Sequence, residues 1–196
     1  MNSLLYIHGF NSSEQSHKAS VLSDAMKRHA LSGELLSPRL PWQPAKAIAL
    51  LEDIITSRLS AEGASSITLI GSSLGGFYAS YLAEKFQIKA ILVNPAVQAS
   101  SLLVDHIGPQ HNPYTDERYE LTLAHMDELA ALIVECPTPD LYWLMLQEGD
   151  DVLDYREALK AFPKTIRLTH EEKGNHRFVG FERFGDDILR FAGIIP

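Results

Sequence analysis

The sequence contains a single cysteine, Cys136, among 196 residues. One cysteine cannot form a disulfide within the chain, and a cysteine-based zinc site needs more than one such ligand. This excludes disulfide-stapled scaffolds and zinc ribbons, and it fits a reducing compartment. We expect Cys136 to be a buried residue that takes no part in the chemistry.

Long apolar runs are also absent, since no stretch approaches the roughly 20 residues needed to cross a bilayer. Residues 1–6 lack the basic segment and the apolar stretch of a signal peptide. We therefore expect neither a membrane anchor nor a signal peptide, and we place the protein in the cytoplasm.

Basic residues are in deficit, with 17 Lys and Arg against 25 Asp and Glu and a net charge of −8. Binding to nucleic-acid phosphates requires clustered Lys and Arg, so we do not expect a nucleic acid as the main partner. The composition leaves a soluble, acidic enzyme or binding module of one domain, residues 1–196. It does not determine the oligomeric state.

Short apolar runs alternate with stretches of helical period along the chain. Runs of strand length are residues 3–7, 67–70, 90–93 and 141–146, with weaker candidates at 34–36 and 165–169. Runs that are apolar on both faces are typical of a buried parallel sheet. The order predicts an α/β fold with a doubly wound, mostly parallel sheet and helices on both faces.

Helix signals lie between these runs. The residue pairs Ser12 with Gln15 and Asp154 with Glu157 predict capping boxes at the starts of two helices. The last helix is predicted to carry a stripe of apolar residues at a spacing of three or four, which we interpret as core packing. The stripe consists of Phe178, Phe181, Phe184, Ile188 and Phe191.

An insert at about residues 97–136 interrupts the alternation. It contains a polar, proline-containing segment at 107–118 and a helical stretch at 121–134. Insertions in α/β folds often lie over the carboxyl ends of the strands, where sites are found. We expect a small helical cap, with residues 97–126 as the roof of an apolar substrate pocket.

Residues 71–75 read G-S-S-L-G and match the pattern G-x-S-x-G of a nucleophile elbow. That mechanism needs a strand before the serine, a helix after it, and small residues two positions to either side, Gly71 and Gly75. All these conditions are predicted here, which favours Ser73 as a nucleophile. Ser72 fails as an alternative, because Ile70 and Leu74 would occupy its glycine positions.

A serine nucleophile needs a histidine base, and in this type of site the chain order is nucleophile, acid, histidine. Only His170 and His176 follow the predicted acid-bearing strand. His170 ends a predicted strand, whereas His176 lies in the loop before the last helix, so we favour His176. The acid should follow strand 141–146, where Glu148, Asp150 and Asp151 compete.

Hydrolysis of an acyl group also needs hydrogen-bond donors for the oxyanion of the tetrahedral intermediate. The N–H of Leu74 is one candidate. The loop after the first strand begins with His8 and Gly9, and Gly9 would let the N–H of Phe10 turn toward the site. In this interpretation His8 shapes the loop and is not the base.

Taken together, residues 7–10, 71–76, 149–155 and 174–178 resemble the α/β-hydrolase superfamily and, more narrowly, the compact bacterial YqiA-like esterases. The resemblance implies a minimal α/β-hydrolase fold with six strands in the order 2-1-3-4-5-6. The spacing G-D-D-V resembles the acid turn of these hydrolases and favours Asp150, with Asp151 as the runner-up.

The resemblance implies a serine carboxylester hydrolase with a Ser73, Asp150 and His176 triad and no metal or cofactor. Its substrate would be a small-molecule acyl ester or a thioester such as an acyl-CoA. An amidase or a related hydrolase would use the same triad, and a non-catalytic binding module could keep the elbow. An anionic substrate group could contact an arginine of this sequence, and the candidates are Arg39, Arg118 and Arg177.

Overall fold

The computed structural model describes residues 2–31, 35–62 and 66–196, and its centre is a six-stranded sheet. The strands are β1 (Ser3–Ile7), β2 (Leu35–Leu36), β3 (Ile67–Ser73), β4 (Ala90–Pro95), β5 (Gly108–His111), β6 (Arg118–Leu121), β7 (Tyr142–Gln147) and β8 (Arg167–Glu171). The central sheet is parallel, in the order β2-β1-β3-β4-β7-β8, while β5 and β6 form a separate antiparallel hairpin. This confirms the predicted order, since β7 and β8 are the fifth and sixth strands of the sheet.

The burial of the strands explains their apolar sequences. Every residue of β1, β4 and β7 is buried, and so is every residue of β3 except Ser73. Strands covered by helices on both faces read as continuous apolar runs. The strand predicted at 34–36 starts at Leu35, and Glu34 lies outside the described residues.

Helices cover both faces of the sheet. They are α1 (His17–Arg28), α2 (Pro44–Glu62), α3 (Leu74–Phe86), α4 (Ala99–Leu103), α5 (Leu123–Ala130), α6 (Tyr155–Ala161) and α7 (Gly185–Phe191). One core cluster contains residues of α2 and α3 with Leu5, and the other contains residues of α1 and α7 with Leu4. Successive residues of β1 therefore enter different cores, as the pleat of a strand requires.

Helix α1 begins later than the pattern at residues 12–15 predicts. Its first residue follows Ser16, whose side chain accepts a hydrogen bond from the Ala19 N–H at 3.5 Å. The Ser12 carbonyl instead accepts a hydrogen bond from Asn112 Nδ2 at 2.9 Å. The capping box predicted at Ser12 is therefore wrong, because contact with the insert holds this residue in a loop.

The insert contains more structure than predicted. The polar segment predicted at 107–118 forms most of the β5–β6 hairpin, in which Gly108 pairs with Leu121. The predicted helix at 121–134 is shorter, since α5 ends at Ala130, and α4 was not predicted. Most hairpin residues are exposed or half-buried, so their sequence lacks the apolar alternation that would have marked two strands.

The aromatic stripe near the carboxyl end packs in the core as predicted, but it is not one helix. Phe178 and Phe181 are buried, with ring centroids 6.2 Å apart in an edge-to-face arrangement. Positive φ angles at Phe178 and Gly180 interrupt the helical path, and a 3₁₀ turn at Phe181–Phe184 follows. Helix α7 therefore starts only at Gly185.

Two expectations from the composition concern Cys136 and the membrane. Cys136 is exposed in the irregular segment between α5 and β7, so the expectation of a buried cysteine is wrong. Among residues 2–31, 35–62 and 66–196, no helix combines the length and the apolar character that a membrane span needs.

Candidate active site

The turn from β3 to α3 places Ser73 where the parallel strands end. Ser73 is the last residue of β3 and the residue before the first turn of α3. Its φ of 56° and ψ of −122° lie in a sparsely populated region, at a typical cost of about 1–3 kcal/mol for a residue with a Cβ. The structure therefore holds the backbone of Ser73 in a strained conformation beside the amino terminus of a helix.

Gly71 and Gly75 allow this turn to close. A Cβ on Gly71 would overlap the carbonyl of Gly75, and a Cβ on Gly75 would overlap the carbonyl of Ile7 in β1. Both obstacles are backbone atoms, which cannot rotate away as a flexible side chain can. Only glycine fits at either position, in accord with the predicted elbow.

His176 and Asp150 form a hydrogen-bonded pair. The imidazole Nδ1 lies 2.8 Å from Asp150 Oδ2 and 3.0 Å from Oδ1, so the Nδ1–H donates to the carboxylate. This bond leaves Nε2 as the free ring nitrogen. His176 and Ser73 line the same cavity.

Asp150 is held by further donors. Its Oδ1 accepts the N–H groups of Val152 at 2.9 Å and Leu153 at 2.8 Å. Burial raises the pKa of the carboxyl group, but the hydrogen bonds from His176 and from these two N–H groups outweigh it, and the net pKa lies below its usual value. Asp150 is therefore a carboxylate at neutral pH.

The rival residues lie elsewhere. Asp151 Oδ1 accepts the backbone N–H of His176 at 3.4 Å, whereas Asp150 accepts from the imidazole itself. His170 Nε2 lies 3.1 Å from Glu148 Oε1, within β8 and away from the cavity that Ser73 lines. Asp154 caps α6 by accepting the N–H of Arg156, which confirms the helix start, but the reciprocal bond to Glu157 that the predicted capping box needs is not among those of the described residues.

The two candidate oxyanion donors belong to elements that adjoin Ser73. Leu74 is the first residue of α3, so its N–H has no acceptor within that helix. A Cβ on Gly9 would lie 3.2 Å from the Cβ of Ser73 and 3.1 Å from the Ser72 carbonyl oxygen. The loop that carries Phe10 therefore runs directly against the elbow, and Phe10 lines the cavity.

His8 fixes the start of this loop. Its Nε2 accepts the Leu40 N–H at 3.2 Å, so the proton is on Nδ1, which donates to the Gly9 carbonyl at 3.0 Å. Burial lowers the pKa of His8, which keeps the imidazole neutral. This geometry is that of a loop-shaping residue.

A cavity of about 590 Å³ opens beside Ser73 and His176. Its walls come mainly from residues 9–12 and 15–18, and among the described lining residues Tyr114 alone belongs to the insert. The walls present polar and apolar surface in similar amounts and include the charged side chains of Lys18 and Arg177. The expectation of an apolar pocket roofed by residues 97–126 is wrong for this cavity, because its walls come mainly from the loop between β1 and α1 and only Tyr114 of the insert reaches it among the described residues.

Residues 3–193 match the uncharacterised protein family UPF0227, a match that spans nearly the whole chain. The chain belongs to UPF0227. This family is the YqiA-like group that the motifs resemble, and the match supports the assignment to the α/β-hydrolases.

Solved structures share the fold of this UPF0227 chain at low sequence identity. Mouse alpha/beta hydrolase domain-containing protein 10 is 16% identical with a TM-score of 0.70, over 96% of this chain and 90% of that one. Est1E from Butyrivibrio proteoclasticus with bound ferulic acid is 12% identical with a TM-score of 0.70, over 97% and 88%. The esterase domain of a Rhodothermus marinus protein is 16% identical with a TM-score of 0.67, over 97% and 86%. These likenesses confirm the predicted α/β-hydrolase fold.

The three arginines proposed for substrate contact have different positions in the UPF0227 chain. Arg177 lines the cavity beside His176. Arg39 is exposed and lies 3.8 Å from Glu117 as a surface ion pair, and Arg118 is exposed on β6. The latter two are not among the residues that line the cavity, so the structure brings only Arg177 to it.

Two buried side-chain amides, those of Asn94 and Gln147, hold the loop that carries His176, and neither of them was identified from the sequence. Asn94 Nδ2 donates to the carbonyls of Asn175 at 3.0 Å and His176 at 3.3 Å, and its Oδ1 accepts the Gln147 N–H at 3.0 Å. The φ of Asn94 is 40°, a left-handed conformation that asparagine tolerates better than most residues. A polar residue at the end of each of two buried strands was the only available signal.

Proposed function

We propose that this protein is a serine hydrolase that cleaves carboxylic esters through an acyl-enzyme intermediate. The observation that carries the proposal is the hydrogen bond from His176 Nδ1–H to Asp150, with the same imidazole lining one cavity with Ser73. In this arrangement Asp150 selects the tautomer whose Nε2 can accept a proton.

The first step is attack of Ser73 Oγ on the ester carbonyl carbon while His176 Nε2 takes the hydroxyl proton. The carbonyl oxygen becomes an oxyanion, and the N–H groups of Phe10 and Leu74 donate to it. Each such donor typically contributes about 3–4 kcal/mol to transition-state stabilisation. Asp150 stabilises the imidazolium that forms.

The second step completes the turnover. The imidazolium returns its proton to the leaving alkoxide, the ester C–O bond breaks, and the acyl group stays on Ser73. Water then attacks the acyl-enzyme, His176 takes its proton, and the acid is released as Ser73 regains a hydrogen. No other reactant is needed for this balance.

The same residues would act on a thioester such as an acyl-CoA or on an amide. Comparing kcat/KM for an ester, a thioester and an amide of one acyl group would separate these activities. We keep the ester as the proposed substrate, because the motif resemblance and the esterase fold relatives both favour it.

The decisive test uses 4-nitrophenyl butyrate and a fluorophosphonate probe. Ser73→Ala should abolish hydrolysis and labelling while circular dichroism shows an intact fold, and the neighbouring Ser72→Ala should keep both activities. A wild-type protein that neither hydrolyses the ester nor labels would overturn the proposal and support a non-catalytic binding module. Activity retained by pure Ser73→Ala would also overturn it.

A further inference from the structure

The cavity beside Ser73 has a cationic lining in a chain whose net charge is −8. Lys18 and Arg177 line it together with His17 and His176, and no Asp or Glu is found among the described residues that line it. Among the described residues the lining itself therefore carries cationic and neutral side chains, with the carboxylate of Asp150 hydrogen-bonded to His176. The potential inside it favours an anion.

Lys18 is the unusual member of this set. It lies in the first turn of α1, yet it is only 8% exposed. Its Nζ donates to the Arg177 carbonyl oxygen at 2.9 Å and lies 5.8 Å from the centroid of the Phe181 ring. An ammonium group has three hydrogens to donate, so one carbonyl satisfies a third of its capacity.

The described residues place no carboxylate in direct contact with this lysine. Across the described parts of the chain, no ion pair of 4.0 Å or less joins a carboxylate to Lys18. Buried lysines are nearly always paired, because an isolated buried charge costs several kcal/mol. The missing partner has space to enter, since Lys18 lines the cavity.

The electrostatics agree with the geometry. Burial and the adjacent Arg177 lower the pKa of Lys18 to about 8, against the opposing influence of Asp150. At pH 7 the ammonium is still mostly charged, and it lies near enough to Arg177 for the repulsion between the two positive charges to lower its pKa. A bound anion would offset this repulsion, and its oxygens would accept hydrogen bonds from the ammonium hydrogens of Lys18 that have no partner.

We propose that Lys18, together with Arg177, binds an anionic oxygen group of the substrate, a carboxylate or a phosphate, so that the protein prefers esters that carry such a group. The proposal rests on the proposed function, because one cavity of about 590 Å³ contains both Lys18 and Ser73. The anion and the scissile ester therefore belong to one small molecule. Lys18 is a specificity-determining residue in this view, with no role in proton transfer.

The test compares an anionic and a neutral ester that differ by one methyl group, 4-nitrophenyl hydrogen succinate and its methyl ester, with the enzyme-free rate subtracted because the free carboxylate can itself displace 4-nitrophenoxide. Wild-type kcat/KM at pH 7 should be at least tenfold higher for the carboxylate. Lys18→Met keeps an unbranched apolar stem and removes the charge, so it should lower this ratio at least tenfold. Lys27→Met is the matched control, since Lys27 lies on the same helix, is exposed and pairs with Asp24; it should leave the ratio unchanged.

A wild-type ratio near one, or an equal ratio in wild type and Lys18→Met, overturns the inference. In that case Ser73-dependent hydrolysis of the neutral ester shows that the proposed function still stands. Loss of hydrolysis of both esters in wild type would instead overturn the proposed function and this inference with it. Inhibition of neutral-ester hydrolysis by succinate or by inorganic phosphate tells which anion the site prefers.

If Lys18→Met does not fold, the proposal is tested on the wild-type protein, by measuring how the ratio of kcat/KM for the anionic ester to kcat/KM for the neutral ester depends on pH. Both esters pass through the same catalytic steps, so any pH dependence of those steps cancels in the ratio. Of the groups around Lys18, Asp150 is a carboxylate, and burial raises the pKa of Tyr6 to about 12. The ratio should fall between pH 7 and pH 9, and a constant ratio overturns the proposal.

Discussion

Gln147 Oε1 accepts the backbone N–H of Asn175 at 3.1 Å, so the end of β7 holds the loop that carries His176. The same oxygen accepts the Val179 N–H at 2.8 Å, and Nε2 donates to Glu171 Oε2 at 2.7 Å and to the Val179 carbonyl at 2.8 Å. The side chain is only 1% exposed, so its polar atoms depend on these partners. Gln147 is therefore a positioning residue for the imidazole.

Gln147→Leu should impair both stability and catalysis. The variant removes the side-chain partner of two part-buried N–H groups and one part-buried carbonyl, which should lower the free energy of unfolding by about 2–4 kcal/mol. Displacement of the His176 loop should lower kcat at least tenfold with little change in KM. Urea unfolding and ester kinetics measure both effects.

Gln98→Leu is the control for that experiment. Gln98 is exposed, and its side chain makes no capping hydrogen bond to α4. Its kcat and stability should stay near wild type. A folded Gln147→Leu with a wild-type kcat would show that the loop is positioned without this side chain.

Asp150→Asn and Asp151→Asn form a matched pair that separates the two candidate acids. Asparagine at position 150 would present an amide N–H to His176 Nδ1 and favour the tautomer whose Nε2 cannot accept a proton. By the behaviour of triads in general, kcat should fall by about 10³ to 10⁴. Asp151→Asn loses an acceptor for a backbone N–H and should change kcat less than threefold. Similar losses in both variants would contradict the assignment of Asp150.

The strain at Ser73 predicts a conflict between activity and stability. Ser73→Ala and Ser73→Gly both remove the hydroxyl, but only glycine adopts a φ of 56° without a steric cost. The strain relieved is typically about 1–3 kcal/mol, and the greater flexibility of unfolded glycine cancels about 0.5–1 kcal/mol of it. Ser73→Gly should therefore be more stable than Ser73→Ala by roughly 0.5–2 kcal/mol in urea unfolding. A less stable glycine variant would show that the elbow is not strained.

Local signals made the sheet and the elbow predictable. The apolar runs that predicted β1, β3, β4 and β7 are buried on both faces, and the elbow needs only a strand, a helix and two glycines around Ser73. Each of these features lies within a few neighbouring residues, so a single sequence contains it. The prediction of His176 also used a simple rule, the order of the residues along the chain.

The features that the sequence did not reveal depend on distant contacts. Lys18 reads as a solvated helix residue, and its burial follows from the carbonyl of Arg177, which is 159 positions away. In the sequence Gln147 is simply a polar residue at the end of a strand, and its role depends on contact with the distant loop at Asn175. The β5–β6 hairpin has little apolar alternation, because its two strands pair with each other and most of their residues are exposed or half-buried.

The buried His8 predicts a pH dependence of stability. Burial lowers its pKa below the ordinary value of 6.5, so the folded protein binds this proton less readily than the unfolded chain does. The stabilisation from the neutral imidazole is therefore fully present above pH 6.5 and is lost as the pH falls from 6.5 through the folded pKa. One such group changes the free energy of unfolding by at most about 1.4 kcal/mol per pH unit.

The measurement is urea unfolding of wild type and His8→Gln between pH 5 and pH 7.5. Glutamine can still accept the Leu40 N–H through Oε1, but it does not titrate. All other ionisable groups are common to both proteins, so the difference between the two curves isolates His8. The wild-type curve should fall more steeply below pH 6.5, and the two curves should run parallel above it. Parallel curves over the whole range would show that His8 gains its proton as easily in the folded loop as in water.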